Sequence, residues 1–487
     1  MPKRALAALP LHISESPGGV IERLARALRQ CILDRQLGPS SPLPASRALA
    51  AQLRVSRSTV VAAYEQLLAE GYLYARSGAG TYVSADLPLA PIRAVANKAP
   101  AIPNTSAAPL LSEHALQALR LAPRWTQFEQ QPFAIGCTWM DATLRTRLGQ
   151  AFANAAQQPL GYGNPQGELA LREALASYLG ASRGVRCQAA QIVLTSGAQS
   201  AVRLALRVLL DPGSEVLIED PCYALTPVLL ADARLLARPI AVDAQGIDIE
   251  RAERAWPKAA AAIVTPSHQY PLGVTLALSR RLELLNWAER RSAWIIEDDY
   301  DSEFRYTGAP ITALQGLDSA GRVLYVGTLS KSMFAAMRLG YLVVPEPLRA
   351  ACVASLSLSE RAPASLVQLA VAEFINDGSF ASHLRRARAR YKSARSLLLS
   401  ALHKRIPGKF EVLSPAQGMH LSIRLQHHND CTLAKSLAAA GIMARPLSTL
   451  YQAEPAIHGL ALGFTGFTDL ALLHAVDVLA NVLGDDV

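Results

Sequence analysis

A chain of 487 residues is longer than one ordinary domain, and a hydrophobic content of 51% is enough to bury a large core. The six cysteines (Cys31, Cys137, Cys187, Cys222, Cys352, Cys431) include no C-x-x-C pair, which argues against a disulfide framework or a zinc site and fits a reducing cytoplasm. With no signal-peptide pattern at the N-terminus and no apolar run of about 18 residues, a soluble cytoplasmic protein without a membrane role is expected.

The net charge of +9 is uneven. Residues 1–84 hold ten Lys/Arg against five Asp/Glu, a net +5, which leaves +4 for the other 403 residues and points to a polyanion as partner of the N-terminal part. There Val20, Ile21, Leu24, Leu28, Cys31 and Ile32 fall at helical spacing, so residues 19–33 read as a helix. After a turn at 38–44, Ser46 is read as the N-cap of a helix over 47–53, and Ser56 as the cap of a second over 57–70, ended by Gly71. Two short helices about a tight turn describe a helix-turn-helix. Residues 73–83 then form a hairpin around Arg76-Ser77-Gly78-Ala79-Gly80, a wing suited to the minor groove or to phosphates.

The wording L-P-A-S-R-A-L-A, V-S-R-S-T-V-V-A-A-Y and E-G-Y-L…R-S-G-A-G-T-Y-V is similar to the GntR-type winged helix. The resemblance implies a double-stranded DNA operator as partner. Arg47, Ser56, Arg57, Ser58 and Thr59 lie at helix starts, where side chains and backbone N–H groups meet phosphates, and Arg76 and Gly80 belong to the wing. Leu49, Leu53, Val60, Val61, Tyr64 and Leu67 are read as core. Residues 85–122 change character: five prolines (Pro88, Pro91, Pro100, Pro103, Pro109) among Ala, Ser and Asn read as a linker, with a brief helix over 111–121. The expected domains are therefore 1–84, the linker, and 123–487.

In the long C-terminal part, apolar strands repeatedly run into polar loops. Val193 to Thr195 turns into a helix through Ser196, Gly197, Ala198 and Gln199, a backbone anion site. The strand at 216–218 leads to Glu219-Asp220-Pro221-Cys222-Tyr223, and Trp294-Ile295-Ile296 leads to a carboxylate cluster with Asp298 and Tyr300. Val323 to Val326 precedes G-T-L-S-K-S, which sets Lys331 among hydroxyls. Burial makes a lysine amine nucleophilic, and Thr328, Ser330 and Arg338 offer a phosphate its partners. A lysine beside a phosphate cradle suggests pyridoxal 5'-phosphate, whose ring nitrogen needs a carboxylate and whose ring hydroxyl suits a phenol; Asp298 and Tyr300 fit.

T-P-S-H-Q-Y-P-L-G (265–273), I-E-D-D-Y-D-S-E-F (296–304) and G-T-L-S-K-S (327–332) resemble the fold-type I aminotransferases, and within them the MocR-type regulators, which join a GntR-type domain to an aminotransferase-like one. The resemblance implies an α/β fold: a winged helix-turn-helix, a large domain with a mainly parallel sheet and helices on both faces, and a small α+β domain after about Leu366. It assigns Lys331 to an internal aldimine, Ser196 to Gln199 to the cofactor phosphate, and Tyr223 to stacking on the pyridine. Tyr162, in G-Y-G-N-P-Q-G, matches a tyrosine that reaches the neighbouring subunit's cofactor, so a homodimer is expected. Arg385, Arg386, Arg388 and Arg390, on a helix over 383–395, read as a solvated or subunit-facing surface or an auxiliary DNA contact.

Two departures stand out. The aminotransferase asparagine that bonds the ring hydroxyl is absent, leaving His268 or Gln269, and the arginine that clamps a substrate carboxylate is missing from G-L-A-L-G-F, leaving Arg445. Both speak against efficient turnover and leave Schiff-base formation intact. The expected function is a transcription regulator that senses pyridoxal phosphate, or an amine or amino-acid effector, through Lys331; the alternative is a working aminotransferase with a DNA-binding appendage.

Overall fold

Helix α1 (Val20–Leu33) turns Leu24, Leu28 and Ile32 inward against Leu49 of α2 (Ser46–Leu53) and Val60 and Leu67 of α3 (Arg57–Ala69), giving the N-terminal unit its core. These features come from a computed structural model that describes residues 19–76, 80–85, 111–121, 130–426, 428–453 and 456–485. The turn between α2 and α3 is made by Arg54 in the left-handed region (φ 54°), and the Ser56 hydroxyl accepts from the Thr59 N–H at 3.1 Å as the expected cap of α3. Ser46 is not the cap of α2. It is already the first helical residue, Ala45 holds the cap position, and no side-chain bond closes that end. Strands β1 (Leu73–Arg76) and β2 (Gly80–Val83) pair antiparallel, with Leu73 and Val83 on the core. The wing tip, residues 77–79, and the linker reading of 86–110 lie outside the described residues; α4 (Glu113–Leu121) is the brief helix expected near 111–121.

The second unit, residues 111–487, holds an eight-stranded sheet. Its strands are β3 (Ile192–Thr195), β4 (Glu215–Asp220), β5 (Leu236–Asp243), β6 (Gly246–Ile247), β7 (Ala261–Val264), β8 (Trp294–Asp299), β9 (Val323–Thr328) and β10 (Gly340–Val343), in the order β3-β10-β9-β8-β7-β4-β5-β6. Neighbours from β9 to β5 run parallel, while β10 is antiparallel to both β9 and β3, and β6 to β5. Alternate residues face opposite ways, as a strand's period of two requires. Val216 and Ile218 pack with Ala205 of α7 (Ala198–Leu209) and Cys352, whereas Leu217 packs with Leu284 and Trp287 of helix Leu278–Arg291. Both faces are covered, so the strands read as continuous apolar runs.

A four-stranded antiparallel sheet follows, β11 (Phe410–Val412), β12 (His420–Leu425), β13 (Arg445–Pro446) and β14 (Gly459–Gly463), ordered β11-β12-β14-β13. It is reached through helix Ser379–Arg405, which is longer than the expected 383–395. The arginines of that helix correct the sequence reading. Arg386 pairs with Asp141 at 2.6 Å, Arg388 donates to the Glu303 carbonyl at 3.0 Å, and Arg390 pairs with Asp469 at 2.6 Å; Arg385 alone of the four is exposed. Arg386, Arg388 and Arg390 fasten the helix to its own chain, while Arg385 keeps the solvated place expected of it. Among the described residues no helix is long and apolar enough to cross a membrane.

Candidate functional site

The carboxyl ends of β3, β4, β7, β8 and β9 lie at the same edge of the sheet. After β9 the chain turns through Ser330 to Lys331, which is half-buried, and a Cβ on Gly136 (φ +87°) would collide with Lys331 Nζ. The positive φ is what favours glycine there, and its bare Cα leaves the amine room. At the end of β8, Asp298 Oδ1 is buried and has no hydrogen-bond partner among the described residues. Burial, with Asp299 and Asp301 nearby, pushes the Asp298 carboxyl up to about 7, and Lys331 pulls the other way.

Opposite them, β3 enters α7 through Ser196 and Gly197 (φ +108°), and no side chain caps that helix. Gly340 packs so closely on this turn that a Cβ there would reach the Gly197 carbonyl carbon, while the Arg338 guanidinium lies within 3.9 Å of the Gly197 Cβ position. Backbone N–H groups of Ala198 and Gln199, the helix dipole and Arg338 together make an anion cradle. Thr328 Oγ1 accepts from the Ser330 N–H at 3.2 Å and so shapes the lysine loop from within.

Aromatic groups close the floor. Tyr223, 41% exposed, meets buried Tyr270 edge-on at 5.7 Å, and Tyr270 packs on Tyr300 at 6.0 Å and on His420 at 5.3 Å. Tyr300 Oη lies 2.9 Å from His268 Nδ1. Gln269, the other substitute for the absent asparagine, is spent on its own turn, donating to the Pro221 and Tyr270 carbonyls at 2.7 Å. Arg445 is exposed on β13, within electrostatic reach of Tyr270. The following loop is tied to β4 by Asp220, which accepts from the Gln452 and Ala453 N–H groups at 2.7 and 3.1 Å. Tyr162 is 93% exposed, with Arg361 over its ring at 5.3 Å.

Sequence reasoning missed Tyr270, His420, Asp301 and Arg183. Arg183, at the end of α6 (Leu169–Arg183), pairs with Asp299 at 2.8 Å and donates to Ser267 Oγ at 2.6 Å, and Tyr325 donates to the same Asp299 oxygen at 2.7 Å. Burial alone lowers an arginine pKa, but Asp299, Tyr325, Glu303 and Glu297 together outweigh it and raise that of Arg183. A buried arginine late in an amphipathic helix was the available signal.

Asp298 carries a pH prediction. Its folded value, about 7, exceeds the ordinary 3.8, so its contribution to stability is full below the unfolded value and is lost as pH rises through 7. Cofactor-free Asp298→Asn should therefore gain about 1–3 kcal/mol over the parent between pH 5 and pH 8, read by paired denaturant melts. Equal pH dependence in both proteins would contradict it.

In the N-terminal unit, Arg47 and Arg57 are exposed and hold no ion pair among the described residues. The hydroxyls of Ser58 and Thr59 lie 2.8 and 2.7 Å from Ser56 Oγ, so this trio fastens the start of α3 around its cap. On the wing, Arg76 sits over Tyr74 and Tyr82 at 5.3 and 5.2 Å, and Gly80, opposite it in register, has φ +111°. Arg57→Ala should cost about 1–3 kcal/mol of operator affinity and leave the cofactor site untouched, as fluorescence anisotropy at fixed salt would show. Unchanged affinity would remove α3 from the DNA interface.

Comparison with known proteins places both units. Residues 133–456 match the family model "Aminotransferase class I and II" and residues 20–83 match "Bacterial regulatory proteins, gntR family". The probable rhizopine catabolism regulatory protein MocR of Rhizobium meliloti is 35% identical, covering 94% of this chain and 92% of its own. The pyridoxine biosynthesis transcriptional regulator PdxR of Corynebacterium glutamicum is 30% identical over 94% of this chain and 95% of its own. Among solved structures, an archaeal alanine:glyoxylate aminotransferase superposes with a TM-score of 0.69 at 25% identity, covering 77% of this chain and 94% of that one.

Proposed function

The chain belongs to the MocR-type transcription regulators, a GntR helix-turn-helix joined to an aminotransferase-like domain, and from that premise we propose that it holds pyridoxal 5'-phosphate on Lys331 and reports an amine or amino acid to DNA. One observation carries the reading: a lysine amine and a buried, unpartnered carboxylate oxygen of Asp298 stand at the ends of adjacent parallel strands, facing an uncapped helix N-terminus with Arg338. These are the groups the cofactor needs. When bound, it supplies an aldehyde that an amine can capture and a ring that draws electrons from that carbon. Lys331 provides the resident amine, Asp298 accepts a hydrogen bond from the ring nitrogen, and Ser196 to Gln199 with Thr328, Ser330 and Arg338 receive the phosphate. Tyr223 covers the ring, Tyr300 faces its hydroxyl with His268 in support, and Arg445 receives an effector carboxylate.

An effector amine competes with Lys331 Nζ, and the signal arises because the two occupied states differ in free energy of DNA presentation. Tyr162, exposed and unused by its own site, is offered to the partner of a homodimer that presents two winged helices to one operator. On the DNA side Arg47, Arg57 and Arg76 are the cations, the Ser56, Ser58 and Thr59 hydroxyls lie at the start of α3, and Gly80 lets the wing approach. Titrating the full chain with pyridoxal phosphate tests the reading. A visible band should saturate at one cofactor per chain, and Tyr162→Ala should weaken uptake by roughly tenfold or less. A monomer that binds the cofactor equally well with either residue would contradict the shared site.

A further inference from the structure

Next to Tyr300 lies a buried polar cluster. His268 is 3% exposed, and its Nδ1 lies 2.9 and 3.0 Å from the two oxygens of Asp301 and 2.9 Å from Tyr300 Oη. Asp301, 1% exposed, also accepts from the Met419 N–H at 3.2 Å. Gly418 (φ +75°) is what lets the imidazole fit, since a Cβ there would run into the ring. His420 of β12 packs on it at 5.3 Å, and Arg183 and Arg305 line the cavity on which His268 also borders.

We propose that His268 is a positioning residue: held by Asp301, its Nδ1–H occupies the Tyr300 oxygen and thereby turns the Tyr300 hydroxyl hydrogen into the cofactor site. This rests on the reading that Tyr300 faces the cofactor's ring hydroxyl. The hydrogen-bond inventory of the two side chains sets the direction. A carboxylate only accepts, so a ring nitrogen between its two oxygens carries a proton whether the imidazole is neutral or charged. A protonated ring nitrogen has no lone pair to offer. Tyr300 therefore accepts from His268, and its own hydrogen is left for an acceptor elsewhere. Donor chains polarise one another, so a phenol whose oxygen already accepts becomes a better donor. His268 thus acts through Tyr300.

The far side of the ring is provided for as well. The cavity it shares with Arg305 measures about 10 Å³, room for one water, and His268 Nε2 and Arg305 Nε are both buried without a partner among the described residues. A water in it would accept from Arg305 and meet Nε2, and so hold the imidazole at both nitrogens. Arg305 is in turn held by Gln417 at 2.9 Å.

Nitrogen NMR of the full chain labelled with ¹⁵N-histidine, without cofactor, reads the tautomer directly, the His268 signals being assigned by their loss in His268→Gln. A protonated Nδ1 is expected. In Asp301→Asn, whose amide can donate, the proton should move to Nε2. Pyridoxal phosphate titrations supply the second readout: His268→Gln and Tyr300→Phe should each weaken uptake about three- to tenfold, and the double variant no further. An unprotonated Nδ1, or additive losses in the double variant, would overturn the proposal. A parent chain that takes up no pyridoxal phosphate would overturn the cofactor reading instead, while the cofactor-free spectrum would still decide the tautomer.

Discussion

Lys331→Ala is expected to abolish the visible absorption of a lysine-held cofactor and to leave the effector without influence on DNA affinity. The substitution removes the amine beside Gly136 but keeps Thr328, Ser330, Arg338 and the Ser196-to-Gln199 turn at the start of α7. Pyridoxal phosphate should still bind through its phosphate, weaker by roughly a hundredfold, about 2.7 kcal/mol. DNA affinity in the absence of effector should match the parent, because α3 and the wing belong to the N-terminal unit, which has its own core. Absorption spectra and anisotropy titrations on the same sample separate these effects. An undiminished effector response in Lys331→Ala would make the domain a non-covalent ligand binder.

Arg183→Met should be among the most destabilising single changes in the aminotransferase-like unit, costing about 3–5 kcal/mol. Arg183 is 4% exposed and Asp299 7%, so among the described residues the variant leaves a buried carboxylate with Tyr325 as its remaining side-chain donor. The orphaned charge of Asp299 also disfavours the ionised form of Asp298 next to it, so cofactor affinity should fall at neutral pH more than at alkaline pH. Asp299→Asn in the same background should restore much of the stability, since it removes the stranded charge. Denaturant melts of the single and double variants decide this. A single variant as stable as the parent would mean that the pair contributes nothing net.

What the sequence disclosed depended on how far apart the partners of each group are along the chain. Lys331, Asp298 and the Ser196-to-Gln199 turn were legible because each follows a short apolar run, and a buried strand that ends in polar residues announces its own loop. The helix-turn-helix was legible for a similar reason: its caps and periodicity are local. Ser46 was misread as a cap because it is the cap-type residue next to Ala45, and the backbone angles, which residue type does not give, start the helix one position earlier. Arg386 was misread because its partner lies 245 residues earlier, whereas Arg385 is exposed as expected. The Arg183–Asp299 pair spans 116 residues and His268–Asp301 spans 33, so the network around Asp298 became visible only once the strands were side by side.

The proposed sensor couples the chemistry at Lys331 to DNA. Its most direct test is operator affinity of the full chain, measured at one salt concentration without additions, with saturating pyridoxal phosphate, and with pyridoxal phosphate plus each member of a panel of amines and amino acids. Coupling of about 1–3 kcal/mol between ligand and operator, a five- to 150-fold change in affinity, is the predicted result for at least one ligand, with the reciprocal change in ligand affinity when operator is present. Identical operator affinity throughout, with the cofactor demonstrably bound, would contradict the account.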